Sequence, residues 1–222
     1  LDWKTAVLDN INQMNRIQGY DVVIVCTSSA AQADFWNQRL KNTRGSVTPK
    51  DAITLAVDED WAKGGAGNGL GTLYAFQKAA ALAKAEHGLD LLSLLQAGTH
   101  SVSIYHTAGK GTRLAPLPSG ENNNKPGVQL SGMVDVEGEG PMPITILEGV
   151  IKQTGTYAPS RKGRLSVFWG DQIFIPSAAT EYDARHHVDI LAQLGPMPSE
   201  QQWHEKEMHK YGLIAVNAEG DG

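Results

Sequence analysis

A short run at residues 21–27, with the sequence DVVIVCT, most constrains the fold of this chain. Its residues are mostly β-branched and apolar, without the alternation expected of a strand that has one face in water. Continuous runs of this kind are typical of strands buried on both faces of a parallel sheet. Residues 52–57 and 164–169 have the same character. The sequence therefore predicts an α/β fold with a mostly parallel central sheet.

Helical patterns alternate with these strands. Apolar residues at spacings of three and four, together with Ser, Thr or Asp at helix starts and Gly at helix ends, mark the segments. The predicted helices cover residues 3–18, 30–40, 73–87, 89–96, about 144–151, 184–194 and 199–209. Further extended segments are predicted at 102–105, 128–135 and 211–216. Alternating strands and helices of this kind indicate a three-layer α/β/α domain with a Rossmann-like arrangement.

Length and composition exclude several classes of protein. The 222 residues, 41% of them hydrophobic, suffice for one sizeable core. A net charge of −5 argues against a nucleic-acid partner, which would need a basic surface. The single cysteine, Cys26, rules out a disulfide scaffold and favours a reduced, cytoplasmic setting. No apolar run approaches the about 20 residues needed to cross a membrane.

The two ends of the chain suggest a fragment. The sequence begins with Leu1 rather than Met, and residues 217–222 have the composition of a turn that follows a strand. We therefore expect residues 1–222 to form one domain that is truncated before a further half.

The stretch from residue 101 to 128 carries the clearest chemistry. A short strand leads into Gly109-Lys110-Gly111-Thr112-Arg113-Leu114, and Lys125-Pro126 follows. Glycines allow the backbone to approach a ligand closely and to direct successive N–H groups at it. Lys110, Arg113 and Lys125 add positive charge, and an arginine can hold two oxygens at once. The stretch predicts a polyphosphate site.

Other glycine motifs fit this loop less well. The phosphate loop G-x-x-x-x-G-K-[ST] is absent, and the dinucleotide fingerprint G-x-G-x-x-G requires a third glycine where Leu114 stands. A plain glycine turn with solvated Lys and Arg side chains is the structural alternative.

A second glycine-rich stretch spans residues 64–72, with five glycines between residues 64 and 71. We expect a loop here rather than a packed element, leading directly into the helix at 73–87. A glycine loop at a helix start can bind an anion or the edge of a base. The alternative is a flexible surface loop.

Gly170-Asp171 follows the predicted strand 164–169. Asp171 there supplies a hard oxygen ligand for Mg²⁺, which keeps waters and substrate phosphates as its other ligands. A simple turn or capping aspartate is the alternative. His186-His187 is a poor metal pair, because adjacent helical residues point about 100° apart.

These motifs together resemble the sugar-1-phosphate nucleotidylyltransferases, also called nucleotide-sugar pyrophosphorylases. Their signature G-x-G-T-R-L…K-P matches residues 109–114 and 125–126, and their G-x-[AG]-x-A-[LF] stretch is similar to residues 69–76. Gly170-Asp171 is similar to their magnesium-binding G-D motif, and residues 211–220 are similar to the Y-G-[VL]-[VI]…G strand that follows it. In motif order the chain is nearest to the fucose-1-phosphate guanylyltransferase branch. It keeps Gly-Thr-Arg-Leu where that branch has other residues before its arginine, so the sugar and the base stay open.

The resemblance implies a GT-A-like nucleotidyltransferase fold, a nucleoside triphosphate and a sugar 1-phosphate as substrates, and Mg²⁺ as cofactor. Arg113 and Lys125 would be catalytic, and Asp171 would hold the metal. The nucleotide-binding residues it implies are Gly67, Asn68, Gly69, Gly71, Thr72, Ala108, Gly109, Lys110, Gly111 and Thr112.

Two other classes remain open. An NAD-type dehydrogenase using the glycines of 64–72 requires an acidic residue about 20 positions further on, at the end of a second strand. Glu86 has about that spacing but falls inside a predicted helix. The other class is a regulatory domain that binds a nucleotide without catalysis.

Overall fold

The structure is a computed structural model that describes residues 2–60, 67–107, 125–173, 175, 186–192 and 195–210. The chain divides into two compact units, Leu1–Ala184 and Arg185–Gly222.

The first unit is built around a four-stranded parallel sheet, as predicted. Its strands are β1 (Val22–Thr27), β2 (Ile53–Asp58), β3 (Val102–His106) and, after a hairpin, β6 (Leu165–Trp169). They lie in the order β2-β1-β3-β6, and every pairing is parallel. Every residue of β1 is buried, so the DVVIVCT run is the central strand that its composition predicts.

Helices connect the strands. They are α1 (Trp3–Asn15), α2 (Ala30–Asn42), α3 (Gly67–His87), α4 (Leu91–Gln96) and α5 (Ile146–Gly155). Side chains cap three of them: Ser29 accepts a hydrogen bond from the Gln32 N–H, Asp90 from that of Ser93, and Thr145 from that of Glu148. The predicted helices at 30–40, 73–87, 89–96 and 144–151 are confirmed, with shifted ends.

The helices cover both faces of the sheet. On one face, Trp36 and Leu40 of α2 and Leu147 of α5 form a core with alternate residues of the strands, such as Val23. On the other face, the small residues of α3 pack on Ile24 and its neighbours. The alternation of side chains along each strand thus assigns every strand residue to the α2 face or the α3 face.

An antiparallel hairpin lies outside the sheet, formed by β4 (Gln129–Val136) and β5 (Gly140–Thr145). The Arg39 guanidinium of α2 joins it to the sheet by donating to the Pro143 carbonyl of β5 at 3.0 Å. The same guanidinium contacts both carboxylate oxygens of Glu148 in α5, at 2.7 and 3.1 Å. Glu148 also accepts hydrogen bonds from the N–H and hydroxyl of Thr145, so this carboxylate is fully engaged in structure.

Several expectations need correction. The first helix ends at Asn15 rather than at 18, and α1 lies against α5. Strand β5 was not predicted, because Pro141 and Pro143 argue against a strand in the sequence. A strand is present at the predicted residues 164–169, but it is not buried as predicted. Strand β6 is the outermost strand of the sheet in the described part of the chain, and Val167 and Trp169 are exposed.

The second unit is small in its described part. It contains a short helix, α6 (Glu200–Glu205), capped by Ser199, and a 3-10 helix, Met208–Lys210. Residues 186–192 form no helix, so the helix predicted at 184–194 is wrong over these residues, including His186 and His187. The strand predicted at 211–216 lies outside the described residues. None of the described helices has the length and apolar character required to cross a membrane.

Candidate functional site at the carboxyl edge of the sheet

The strand order creates a switch point between β1 and β3. From β1 the chain moves to β2 on one side and then returns to β3 on the other. In open α/β sheets, ligands bind outside the carboxyl ends of the strands at such a point. Thr27 and His106 end the two strands that flank it.

The hydrogen-bond ladder continues past the strand ends and aligns the residues that follow. The Glu59 N–H donates to the Thr27 carbonyl at 2.7 Å, and the Thr107 N–H to that of Cys26 at 2.9 Å. The Gly170 N–H donates to the His106 carbonyl at 2.9 Å. Segments from all four strands therefore meet at one edge.

Asp171 and Lys125 come together at this edge. The Lys125 ammonium contacts the Asp171 carboxylate at 2.5 Å, and both side chains are about 29% exposed. Lys125 opens a 3-10 helix, Lys125–Gly127, before β4. Asp171 is held in place because Gly170 fits closely against β3: a Cβ there would lie 2.9 Å from Thr107 Cγ2. Two residues assigned separately from the sequence are thus direct partners.

The loop predicted at residues 64–72 is wrong over residues 67–72, and residues 64–66 lie outside the described part of the chain. Gly67, Gly69, Gly71 and Thr72 all lie in the first turns of α3, which corrects the sequence prediction. Each interior glycine costs about 1 kcal/mol relative to alanine. Buried alanines at spacings of four anchor the helix on the sheet and offset this cost; they are Ala75, Ala79 and Ala83. Asn68 lies in the same turns.

Gly71 lies close to the Glu59 side chain. A Cβ at this position would collide with Oε1 of Glu59. A side chain at residue 71 would displace the Glu59 carboxylate from its present position. Next to it, the Thr72 hydroxyl and Nε2 of His106 are hydrogen-bonded at 2.7 Å.

A charged group surrounds the end of β2. The Lys78 ammonium contacts the carboxylates of Asp58 at 2.9 Å and Asp60 at 3.3 Å, and the Tyr74 hydroxyl donates to Asp60. Burial alone would lower the pKa of Lys78, but the two carboxylates outweigh it and the pKa lies above its ordinary value. The group fixes α3 to β2 and holds its cation in the charged form.

Three metal-ligating side chains converge on the α3 face of this edge. Ligand atoms of Cys26, Glu59 and His106 all lie within 4.8 Å of one another. Burial, and then the Glu59 carboxylate, raise the pKa of the Cys26 thiol to about 12. Burial lowers the pKa of the His106 imidazole, which favours its neutral form. Asp171 belongs to no such group of three among the described residues.

The remaining predicted residues, Ala108, Gly109, Lys110, Gly111, Thr112 and Arg113, lie outside the described residues. Thr107, which immediately precedes them, is at the switch point and donates its hydroxyl to the Cys26 carbonyl. Of the predicted residues that are described, Lys125 contacts Asp171, and Thr72 contacts His106 at the end of β3.

Sequence reasoning missed Glu59, His106 and Lys78. Glu59 and His106 were overlooked although each stands at or just after the end of a predicted core strand, where the α/β rule places ligands. Lys78 carries no such signal, because it lies mid-helix and is recruited by the packing of α3 on β2.

No protein-family model matches the sequence, and neither the curated proteins nor the solved structures include a match to the chain.

Proposed function

We propose that this chain is a nucleotidyltransferase domain with a GT-A-like fold, which joins a nucleoside triphosphate to a sugar 1-phosphate and releases pyrophosphate. The single observation that carries the proposal is the Lys125–Asp171 pair at the carboxyl edge. The resemblance identified these two residues independently, 46 positions apart. A cytoplasmic location, where both substrates would be available, agrees with the free thiol of Cys26.

Asp171 fits a magnesium ligand in chemistry and position. It is a partly exposed carboxylate directly after a strand end, and Mg²⁺ is commonly held by one or two carboxylates while substrate phosphates and waters complete its shell. Bound there, the ion would neutralise charge on the phosphate oxygens. Before substrate binds, the Lys125 ammonium neutralises the charge of the Asp171 carboxylate.

The reaction requires no covalent enzyme intermediate. An oxygen of the sugar phosphate attacks the α-phosphorus in line, a bond from that oxygen to phosphorus forms, and the bond to the β-phosphate oxygen breaks. Lys125 leaves Asp171 and binds an oxygen of the triphosphate, while Arg113 offsets the charge that develops on the departing pyrophosphate. The residues thus contribute position and charge stabilisation.

The start of α3 suits the base or the phosphates. The first four N–H groups of a helix have no partner within it, and here they belong to glycine-rich sequence that leaves them accessible. Leu70 and Leu73 are exposed in the same turns and offer an apolar surface to a base. This helical start takes over the role expected of a loop at 67–72.

The dehydrogenase alternative has less support. Its acidic residue would be Glu86, which lies in the last turn of α3 and is exposed, remote from a strand end. The first β-α turn carries Ser28 and Ser29, which bind Gln32 and cap α2, rather than the glycines of a dinucleotide fold.

A pyrophosphate-release screen tests the proposal. The complete gene product is incubated with Mg²⁺ and pairs of nucleoside triphosphates and sugar 1-phosphates; release that requires both substrates is expected. Arg113→Ala should cost about 2–4 kcal/mol of transition-state stabilisation, as for loss of one oriented donor. Thermal stabilisation by nucleotides without turnover would identify a binding domain, and stabilisation by NAD alone would reject the proposal.

A further inference from the structure

We propose that Cys26, Glu59 and His106 form a binding site for a transition-metal ion of the zinc class, separate from the magnesium position at Asp171. The inference goes beyond the proposed function and does not depend on it.

The sheet itself builds this site. Cys26 on β1 lies directly opposite His106 on β3, and β2 pairs on the other side of β1, with Cys26 opposite Val57. Glu59 is two residues beyond Val57, so alternation returns its side chain to the same face. Two paired strand ends and the residue that follows the neighbouring strand thus present one ligand each to the α3 face.

The spacing is close to that of a metal shell. Bonds of about 2.0–2.3 Å in a tetrahedral zinc site put ligand atoms roughly 3.3–3.7 Å apart. The three atoms here already lie within 4.8 Å of one another without an ion. Side-chain rotation alone, with the backbone fixed by the sheet, can close the difference.

The donor set selects the metal. A thiolate, an imidazole and a carboxylate suit Zn²⁺ and related ions, whereas Mg²⁺ prefers oxygen ligands alone. The Cys26 thiol would release its proton to water as the ion binds, and the ammonium of Lys78 is taken by Asp58 and Asp60. A dication would balance a thiolate and a carboxylate without another residue.

The burial of the three side chains suits an ion that is bound firmly but can be reached from solvent. Cys26 is fully buried, while Glu59 and His106 are partly exposed, so an ion can enter from the edge and one position remains for an oxygen donor. With the ion on Nδ1 of His106, the Thr72 hydroxyl, which contacts Nε2, would orient the ring as supporting partners do for metal-bound histidines. Gly71 leaves the space that Glu59 occupies.

The test uses Co²⁺ as a spectroscopic probe and Zn²⁺ as competitor, on the metal-stripped full chain. We expect one Co²⁺ per chain, with a thiolate-to-cobalt charge-transfer band that Zn²⁺ removes and a large excess of Mg²⁺ does not. Because Cys26 is the only cysteine, that band can come from no other residue of the chain.

Variants assign the ligands. Glu59→Gln and His106→Gln should weaken Co²⁺ binding about 100-fold or more, since loss of even a supporting residue costs 10–100-fold. Asp60→Asn and His87→Gln are matched controls, a neighbouring carboxylate and an exposed histidine, and should leave it unchanged. Far-UV circular dichroism verifies that each variant is folded.

Binding without a charge-transfer band, or equal binding by Glu59→Gln and the wild type, would overturn the proposal. So would displacement of Co²⁺ by Mg²⁺. None of these three results bears on pyrophosphate release, so this site and the proposed function fail separately.

Discussion

The two ends of the parallel sheet use the same pair of residue types, aspartate and lysine, in different ways. At the amino end, the Asp21 carboxylate accepts hydrogen bonds from the Ser101 N–H and hydroxyl at 2.6 and 2.7 Å, and from the Lys162 ammonium on both oxygens. At the carboxyl end, the Asp171 carboxylate has one side-chain partner among the described residues, the Lys125 ammonium.

The number of hydrogen-bond partners assigns the two aspartates different roles. Asp21 stabilises the fold, and Asp171 is free to bind a ligand. Asp21, Ser101 and Lys162 precede β1, β3 and β6, so the saturated carboxylate joins the starts of three strands. A carboxylate with one partner keeps lone pairs for a ligand. Substitutions at the two ends should therefore affect different measurements.

Among the substitutions at the two ends of the sheet, Asp171→Asn should have the largest effect. Because the amide is a poor ligand for Mg²⁺, turnover in the pyrophosphate-release assay should fall about 100-fold or more, by comparison with losses at residues that only support a ligand. The unfolding free energy should change by no more than about 1 kcal/mol, since the pair with Lys125 is partly exposed. Full turnover in this variant would remove Asp171 from the site.

Asp21→Asn should show the opposite pattern. Losing charge-assisted hydrogen bonds at a partly exposed position should lower the unfolding free energy by about 1–2 kcal/mol, measured by urea denaturation. Turnover per folded molecule should match the wild type. A variant with wild-type stability would show that the amino end does not hold the strands together.

Low pH should reduce the stabilisation that the Asp21 carboxylate provides. Burial alone would raise the pKa of Asp21, but hydrogen bonds from Lys162 and Ser101 outweigh it and the pKa lies below the usual value. Its stabilisation is therefore present above the unfolded carboxyl pKa and is lost as pH falls through the lowered pKa. The stability gap between wild type and Asp21→Asn should stay constant from pH 7 to pH 5 and narrow below about pH 4. A gap that widens in acid would contradict this direction.

Lys162→Met should have the smallest effect. The Lys162 side chain is 44% exposed, and exposed ion pairs contribute less than about 1 kcal/mol. Urea denaturation should show a smaller loss than for Asp21→Asn, because Ser101 still donates to the carboxylate. A loss of unfolding free energy larger than that of Asp21→Asn would show that Lys162, rather than Ser101, provides most of the stabilisation of Asp21.

The sequence predicted the sheet and several of its helices well, because local patterns encode them. The run at 21–27 has only one environment that suits it, and Ser29, Asp90 and Thr145 mark helix starts through their own hydrogen bonds. The helical state of Gly67–Thr72 was not predictable from propensity, since it depends on alanines that pack on strands far away in the chain.

The candidate site was predictable only in part. Asp171 and Lys125 each carry a motif, whereas their contact depends on the fold. The cluster of Cys26, Glu59 and His106 has no spacing signature, because its members come from three strands whose register appears only when the sheet is assembled.

The strand order also governs how this chain would fold. Asp21 and Ser101, which meet beside the central strand pair, are 80 residues apart, so a long loop must close before that pairing is stabilised. The β4–β5 hairpin joins neighbours in the chain and can form within about 1–10 μs. We expect refolding to begin at the hairpin and α5 and to end with the central strands, so that binding competence returns in the slowest phase.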